Sequence, residues 1–162
     1  IVPSNKDRFL RKETLQGFVH DEASAFFGGL AGNAGLFSTA RDVARVYQML
    51  LNGGEIDGQR YLSKETCQLF TTETSKISRR GLGFDKPDAD DPKKGNCAPA
   101  APAEVYGHTG FTGTCAWVDP VNELVYVFLS NRIYPDVTNR KLNQLHIRER
   151  IQGAIYDAMK KK

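Results

Sequence analysis

Val105-Tyr106-Gly107-His108-Thr109-Gly110-Phe111, followed by Thr114-Cys115-Ala116-Trp117-Val118 and Leu124-Val125-Tyr126-Val127-Phe128-Leu129, reads as three β-strands in close succession. Aromatic and β-branched side chains dominate these runs, and such residues suit a pleated, half-buried surface. The turn Asp119-Pro120-Val121-Asn122-Glu123 joins the second run to the third as an antiparallel hairpin. Val125 to Leu129 is almost continuously apolar, which predicts a strand covered on both faces.

Downstream, Ile147, Ile151, Ile155 and Met159 recur at every fourth position and predict a closing helix from about 145 to 159. Upstream, Val43, Val46, Tyr47, Leu50 and Leu51 form one apolar stripe at helical period. Ser38 or Thr39 is the natural N-cap of that helix, worth about 1 kcal/mol, and Asp42 sits at the positive end of its dipole. Asn52-Gly53-Gly54 ends it, because glycine adopts the left-handed conformation that a C-cap needs. A shorter helix is expected from Ser63, with Glu65 in its first turn and Leu69 and Phe70 facing inward. Residues 1–20 are polar and irregular, without a convincing period. Residues 85–104 form a loop rich in Pro, Asp, Lys and Ala, and loops of that length are functional or disordered. The expected fold class is therefore α+β. An antiparallel sheet of 105–111, 114–119 and 124–130 carries the carboxyl-terminal helix on one face, with the 39–52 helix in a neighbouring layer.

Apolar residues make up 40% of the chain and charged residues 25%, an ordinary globular mixture. The net charge of +3 includes the terminal Lys160, Lys161 and Lys162, so the rest is close to balanced. Nucleic-acid binding needs Lys and Arg gathered on one face with stacking aromatics between them. Here the charges are scattered, and Arg79-Arg80 reads as part of a solvated loop. Cys67, Cys97 and Cys115 are odd in number and lack Cys-x-x-Cys spacing, which excludes a zinc ribbon or a disulfide framework and leaves one bridge open. No apolar run approaches the length needed to span a bilayer.

The chemistry concentrates in Gly107-His108-Thr109-Gly110-Phe111-Thr112-Gly113, at the head of the hairpin. His108 offers a proton or a hydrogen bond, and Thr109 offers a hydroxyl for a carboxylate. Gly110 has no side chain to hold a substrate backbone away, and the Phe111 N–H can address a carbonyl oxygen. A preorganised donor of that kind is worth about 10²–10³ in rate. A glycine-rich turn with one exposed histidine reads equally well from this segment alone. Elsewhere, the glycine run Gly28-Gly29-Leu30-Ala31-Gly32-Asn33-Ala34-Gly35 lacks the Gly-Lys-Ser/Thr of a phosphate loop and reads as a turn. In His20-Asp21-Glu22 adjacent side chains diverge, which favours hydrogen bonding in a loop over a shared ion. His146 reads as a surface residue and Trp117 as core.

His108-Thr109-Gly110 resembles the third motif of penicillin-binding proteins and serine β-lactamases, usually Lys-Thr-Gly, with His in first place in some carboxypeptidase-like and esterase-like members. The stretch from Gly29 through Leu36-Phe37-Ser38-Thr39-Ala40-Arg41-Asp42-Val43-Ala44 is similar to the class C-like branch upstream of that motif. So are Leu50-Leu51-Asn52-Gly53-Gly54 and Leu129-Ser130-Asn131-Arg132. The resemblance runs from about Gly17 to the final helix. More narrowly, Phe18-Val19-His20-Asp21-Glu22 and Arg80-Gly81-Leu82-Gly83-Phe84-Asp85-Lys86-Pro87 resemble β-lactamase-like modules fused behind family 3 glycoside hydrolases in Bacteroidetes.

That resemblance implies acyl transfer or hydrolysis through a covalent serine ester, on a peptidoglycan peptide, a β-lactam or an ester. It gives His108 and Thr109 the task of orienting substrate and the Phe111 N–H half of the oxyanion hole. It implies a periplasmic or cell-envelope setting and neither cofactor nor metal. The family's nucleophile lies in Ser-x-x-Lys. Serines 4, 24, 38, 63, 75, 78 and 130 are followed three places on by Asp7, Phe27, Arg41, Thr66, Ser78, Gly81 and Ile133, never by lysine. Ser38-Thr39-Ala40-Arg41 comes nearest, but a guanidinium stays protonated and cannot act as a base. Thr138-Asn139-Arg140-Lys141 has the spacing with a more hindered hydroxyl, on the wrong side of the third motif. The expectation is a partial domain over 1–162 whose missing amino-terminal part carries nucleophile and base, with no turnover by this chain alone. A non-catalytic module that binds cell-wall peptide or glycan, or packs against a fused glycosidase, is the competing expectation. Lacking the family's amino-terminal strands, the sheet should expose an edge and an apolar face, relieved by the missing part or by a homodimer.

Overall fold

The computed structural model describes residues 1–72, 77–91 and 95–161. Ser75, the 92–94 part of the long loop and Lys162 lie outside them. The elements in order are strands β1 (Pro3–Lys6) and β2 (Thr14–Gln16), helices α1 (Glu22–Phe26) and α2 (Ala40–Leu51), strands β3 (Glu55–Ile56) and β4 (Gln59–Arg60), and helix α3 (Lys64–Thr71). Strands β5 (Tyr106–Thr109), β6 (Cys115–Asp119) and β7 (Leu124–Phe128) follow, then helices α4 (Lys141–Gln144) and α5 (Ile147–Met159). The chain is thus mixed α and β, with small antiparallel sheets flanked by helices.

The main sheet has the order β5-β6-β7, all antiparallel. Its registers, Gly107↔Trp117↔Tyr126 and His108↔Ala116↔Val127, assign the two faces, because side chains alternate along a strand. Cys115, Trp117 and Tyr126 point to one face and form the core with Cys97 and Val105, against which Ile155 of α5 packs. Tyr106, Ala116 and Val118 point to the other face. There Phe84 stands edge-on between Tyr106, at 5.4 Å, and Tyr47 of α2, at 6.3 Å. α2 lies across β6 and β7.

The coverage expected of Val125–Leu129 belongs instead to β6, every residue of which is buried. β6 has a strand on each side and a helix layer on each face. In β7 only Tyr126 is buried, and its outer edge has no strand partner among the described residues. Phe26, Phe27, Leu30 and Leu36 are each more than three-quarters exposed.

α2 begins as its sequence requires, with the Thr39 hydroxyl accepting from the Asp42 N–H at 3.2 Å. It ends at Gly53-Gly54. Gly54 has φ 94°, and a Cβ there would stand 2.2 Å from the Leu62 carbonyl oxygen. α3 is capped by Ser63, which accepts from the Thr66 N–H. Its inward residue is Cys67, whereas Leu69 and Phe70 are exposed, which corrects the expected face. The helix is phased by the Ser63 cap and by the Thr71 carbonyl, which accepts from Lys86 Nζ at 3.3 Å, and Leu69 falls on the far side.

α5 departs further. The isoleucine line is only partly covered, with Ile151 and Met159 each 39% exposed, and the buried line is Arg148, Gln152 and Tyr156. Each of these bonds to the body of the protein. Arg148 Nη1 donates to the Thr114 carbonyl at 3.3 Å, and Gln152 Oε1 accepts from the Ala98 N–H at 2.8 Å. The Tyr156 hydroxyl donates to Asp119 Oδ2 at 2.8 Å, and the Tyr126 hydroxyl donates to the Arg148 carbonyl at 3.1 Å. Paired polar groups are tolerated inside where unpaired ones are not.

Residues 1–20, expected to be irregular, contain the β1–β2 hairpin. Strands of three and four residues are too short to show a period. Their connection is organised by Asp7, whose carboxylate accepts from the Phe9, Leu10 and Arg11 amides and from Arg11 Nε at 2.6 Å. The Asn131 side chain donates to the Pro3 carbonyl and ties this hairpin to the main sheet. The three cysteines are buried free thiols, so the bridge left open is not formed. Burial pushes Cys97 up to about 12 and Cys115 up to about 11, which leaves both as inert core groups.

Candidate functional site

β5 is the outer strand on the side away from β7, and its outer edge is only partly covered. Asp85 and Gly107 exchange backbone hydrogen bonds of 2.7 and 3.0 Å, so the Gly107 amide and carbonyl face away from β6. Thr109 has the same parity, so its N–H and C=O also face outward, beyond the point where Asp85 stops. Among the described residues no backbone group pairs with this edge at Thr109, whose carbonyl takes the His108 ring instead, and an edge strand with unpaired backbone groups is the kind to which an extended chain can add.

His108 and Thr109 are consecutive, so their side chains leave opposite faces of the sheet. They share the edge, not a pocket. His108 Nδ1 lies 2.6 Å from the Thr109 carbonyl oxygen, and Nε2 lies 3.0 Å from Arg80 Nη1. A guanidinium can only donate, so Nε2 accepts and Nδ1–H donates to the carbonyl. His108 is therefore a donor at Nδ1 and an acceptor at Nε2 in this arrangement.

Gly110 to Gly113 make the tight connection from β5 to β6. The Gly110 N–H donates to the Thr114 carbonyl at 2.8 Å, and the Gly113 N–H donates to the Gly110 carbonyl at 2.9 Å. The segment after β7 braces this loop: the Arg132 N–H donates to the Thr112 carbonyl, and Ser130 Oγ to the Gly113 carbonyl, both at 2.9 Å. Phe111, at the tip, stacks on the His20 ring with centroids 4.8 Å apart and planes 3° from parallel. The Arg132 guanidinium lies 4.7 Å from the same ring, a cation–π contact. Arg11, paired with Asp7, donates to the Val19 and His20 carbonyls and so holds His20 in place. The four expected site residues thus sit together at one end of the sheet, and three residues from distant segments, His20, Arg80 and Arg132, converge on them. No local pattern marks those three, because each contact joins segments far apart in the chain.

His20-Asp21-Glu22 leads into a helix: Asp21 caps α1 by accepting from the Ser24 N–H at 2.7 Å, and Glu22 lies in its first turn, where a loop was expected. The glycine run folds into a turn closed by the Ala31–Ala34 bridge. His146 is exposed and Trp117 is core. Arg79-Arg80 lies in a loop with Arg80 exposed, as read, and the two side chains also contact Asp85 and His108. An open groove of about 700 Å³ lies at the opposite end of β5, between the end of α2 and α3, and contains none of the four site residues. Lys86 on its wall donates to the Thr71, Glu104 and Val105 carbonyls.

Burial lowers the pKa of His20 below the ordinary histidine value, with the Arg11 and Arg132 charges adding to the effect and Asp21 opposing it. The unfolded chain therefore takes up this proton first as pH falls below about 6.5, so His20 contributes a loss of stability on acidification from there. Urea midpoints at pH 7.5 and 5.5 check this. The His20→Gln variant is expected to lose less between the two pH values than the unmodified chain.

The sequence profile of the Beta-lactamase family matches residues 4–149. The chain is 37% identical over 135 residues to the protein named "Putative D-alanyl-D-alanine carboxypeptidase" in Escherichia coli (strain K12). Identity and span are the same for the proteins of that name in Salmonella agona (strain SL483) and Salmonella typhi. Each alignment covers 83% of this chain and 31% of the relative, so the chain spans under a third of the length of the curated relatives it matches.

Proposed function

This chain belongs to the β-lactamase family, and from that premise we propose that the whole protein is a serine peptidase acting on D-alanyl-D-alanine peptides through an acyl-enzyme. The observation that carries the reading is the outer edge of β5, closed by Asp85 at Gly107 and, among the described residues, without a backbone partner at Thr109. A substrate peptide lies along that edge as an added strand. His108 and Thr109 orient it, Gly110 admits it closely, and the Phe111 N–H takes one side of the carbonyl oxygen that turns anionic as the serine attacks. The clamp of His20 and Arg132 on the Phe111 ring supports this role, because a donor to a developing charge helps only if it is already in place. None of the seven serines here has lysine three places on, so in this reading another segment of the protein supplies nucleophile and base. A periplasmic setting, where such peptides are found, goes with the proposal, and so does the narrower likeness to modules fused behind family 3 glycoside hydrolases.

Intact mass after incubation with a β-lactam and with a fluorophosphonate tests it, on the 162-residue chain and on the full-length protein in parallel. The expected result is an adduct on the full-length protein only. An adduct on the 162-residue chain would mean a nucleophile within these residues. Labelling of neither sinks the acyl-enzyme and leaves a non-catalytic binding module.

A further inference from the structure

The Phe111 N–H is an unspent donor in a loop that is held on both sides of it. The Gly110 N–H donates to Thr114 at 2.8 Å, and the Arg132 N–H fixes the Thr112 carbonyl at 2.9 Å. The Phe111 N–H itself meets no acceptor among the described residues. Its direction depends on the two peptide planes that flank it, and the handle on those planes is the ring. The His20 ring lies against that ring, with centroids 4.8 Å apart and planes 3° from parallel, and the Arg132 guanidinium stands 4.7 Å from the same centroid. His20 is itself anchored through its main chain. Arg11, paired with Asp7, donates to the Val19 carbonyl at 3.0 Å and to the His20 carbonyl at 2.8 Å. The imidazole makes no hydrogen bond among the described residues, so stacking is what joins it to Phe111.

Four charged groups act on that imidazole: Arg11 from the β1–β2 connection, Arg132 from the segment after β7, and Asp21 and Glu22 at the start of α1. The Asp21 carboxylate is committed to its cap, accepting from the Ser24 N–H at 2.7 Å and from the Asn33 side chain at 3.4 Å. A proton added to the ring would arrive near two guanidinium groups, with no protein acceptor placed for the second N–H. It would also compete with Arg132 for the negative face of the Phe111 ring. Burial and the two arginines accordingly hold the ring uncharged at neutral pH. We propose that His20 is a positioning residue for the acyl-transfer site: its uncharged ring, stacked on Phe111, aims the Phe111 N–H, and a proton taken up on that ring turns the donor away. This rests on the reading that the Phe111 N–H serves the carbonyl oxygen of the substrate. It adds the residue that aims the donor and the protonation state in which it does so.

The test uses the full-length protein and two readouts. In the first, the amide resonance of Phe111 is followed by NMR with isotope-labelled phenylalanine, identified by its absence from Phe111→Leu. As pH is lowered it should move with a midpoint below about 6.5, and it should stay still in His20→Phe, whose ring stacks but takes no proton. In the second, the rate of acylation by a chromogenic β-lactam is measured over the same range. At neutral pH His20→Ala should lower the acylation rate constant by about ten- to a hundredfold with little change in binding, and His20→Phe should recover most of the loss. The rate of the unmodified protein relative to His20→Phe should then fall by about tenfold toward acid, because the titration of nucleophile and base is common to both and cancels. A merely structural histidine would lower the melting temperature of His20→Ala without splitting rate from binding. A Phe111 resonance that ignores pH, or that still moves in His20→Phe, overturns the proposal, as does a His20→Ala variant acylated as fast as the unmodified protein. The acyl-enzyme itself is judged separately by the fluorophosphonate adduct. No adduct, alongside a Phe111 amide that follows His20, would count against catalysis and in favour of the coupling between ring and amide.

Discussion

Gly107→Ala is expected to destabilise the protein by about 3 kcal/mol and to lower its melting temperature by about 10 °C. A Cβ at this position would stand 2.1 Å from the Ala116 carbonyl oxygen and 2.7 Å from Trp117 Cε3. Neither neighbour can yield. The carbonyl belongs to the fully buried central strand, and the indole is the largest side chain of the core. Relief would require β5 to move away from β6, which also strains the two backbone bonds between Gly107 and Asp85. Thermal unfolding followed by circular dichroism measures the effect, and a melting temperature within about 2 °C of the unmodified protein would contradict the packing described here.

Asp85→Asn should cost about 3 kcal/mol, the lower end of the range for breaking a buried ion pair, since Arg79 is partly solvated while the carboxylate is not. Every polar contact of the Asp85 side chain is a donor: Arg79, Asn96 and the Lys86 N–H. An asparagine amide would turn a fourth donor toward them and would leave the guanidinium with only Asp88, 3.8 Å away, as a counter-charge. Urea unfolding at pH 7 gives the size of the loss. The difference between variant and unmodified protein should then narrow in acid. Burial by itself would raise the pKa of Asp85, but the Arg79 and Asn96 hydrogen bonds outweigh it and hold the carboxyl below the usual range. As pH falls below about 4 the unfolded chain is protonated first, and the stability that this group contributes is lost as pH passes down through its folded-state value. A gap that stays constant from pH 7 to pH 3 would show that the charge of Asp85 is not what matters.

The elements that could be foreseen from the sequence are those whose signals are local. Thr39, Asp42 and Gly53-Gly54 bracket α2, and the Asp119–Glu123 turn between two apolar runs specifies the hairpin, because each depends on residues within a few positions of one another. What could not be foreseen was a matter of orientation. In α5 the isoleucines and the line Arg148, Gln152 and Tyr156 have the same period, one residue out of phase, and only the partners offered by Thr114, Ala98 and Asp119 decide which line turns inward. The apolar run of β7 looked like the buried strand because sequence cannot show which strand is central. At the site, the motif around His108 was legible as chemistry. The side chains that set its geometry were not: Arg80 lies 28 residues away, and the Phe111 clamp draws on His20 from near the amino terminus.

The polar line of α5 has a consequence for how changes in that helix are felt. A helix held by apolar contacts alone can shift along its axis by a turn, or roll by a fraction of one, and find nearly equivalent contacts. Directional bonds from Arg148 and Tyr156 to the two ends of β6, and from Gln152 to the loop at Ala98, admit a single rotation and a single height. Adhesion and address are therefore carried by different residues. Variation along Ile147, Ile151 and Ile155 alters how firmly the helix is attached, whereas variation along the polar line alters where it docks, and with it the support that reaches Trp117 and the strand beside it.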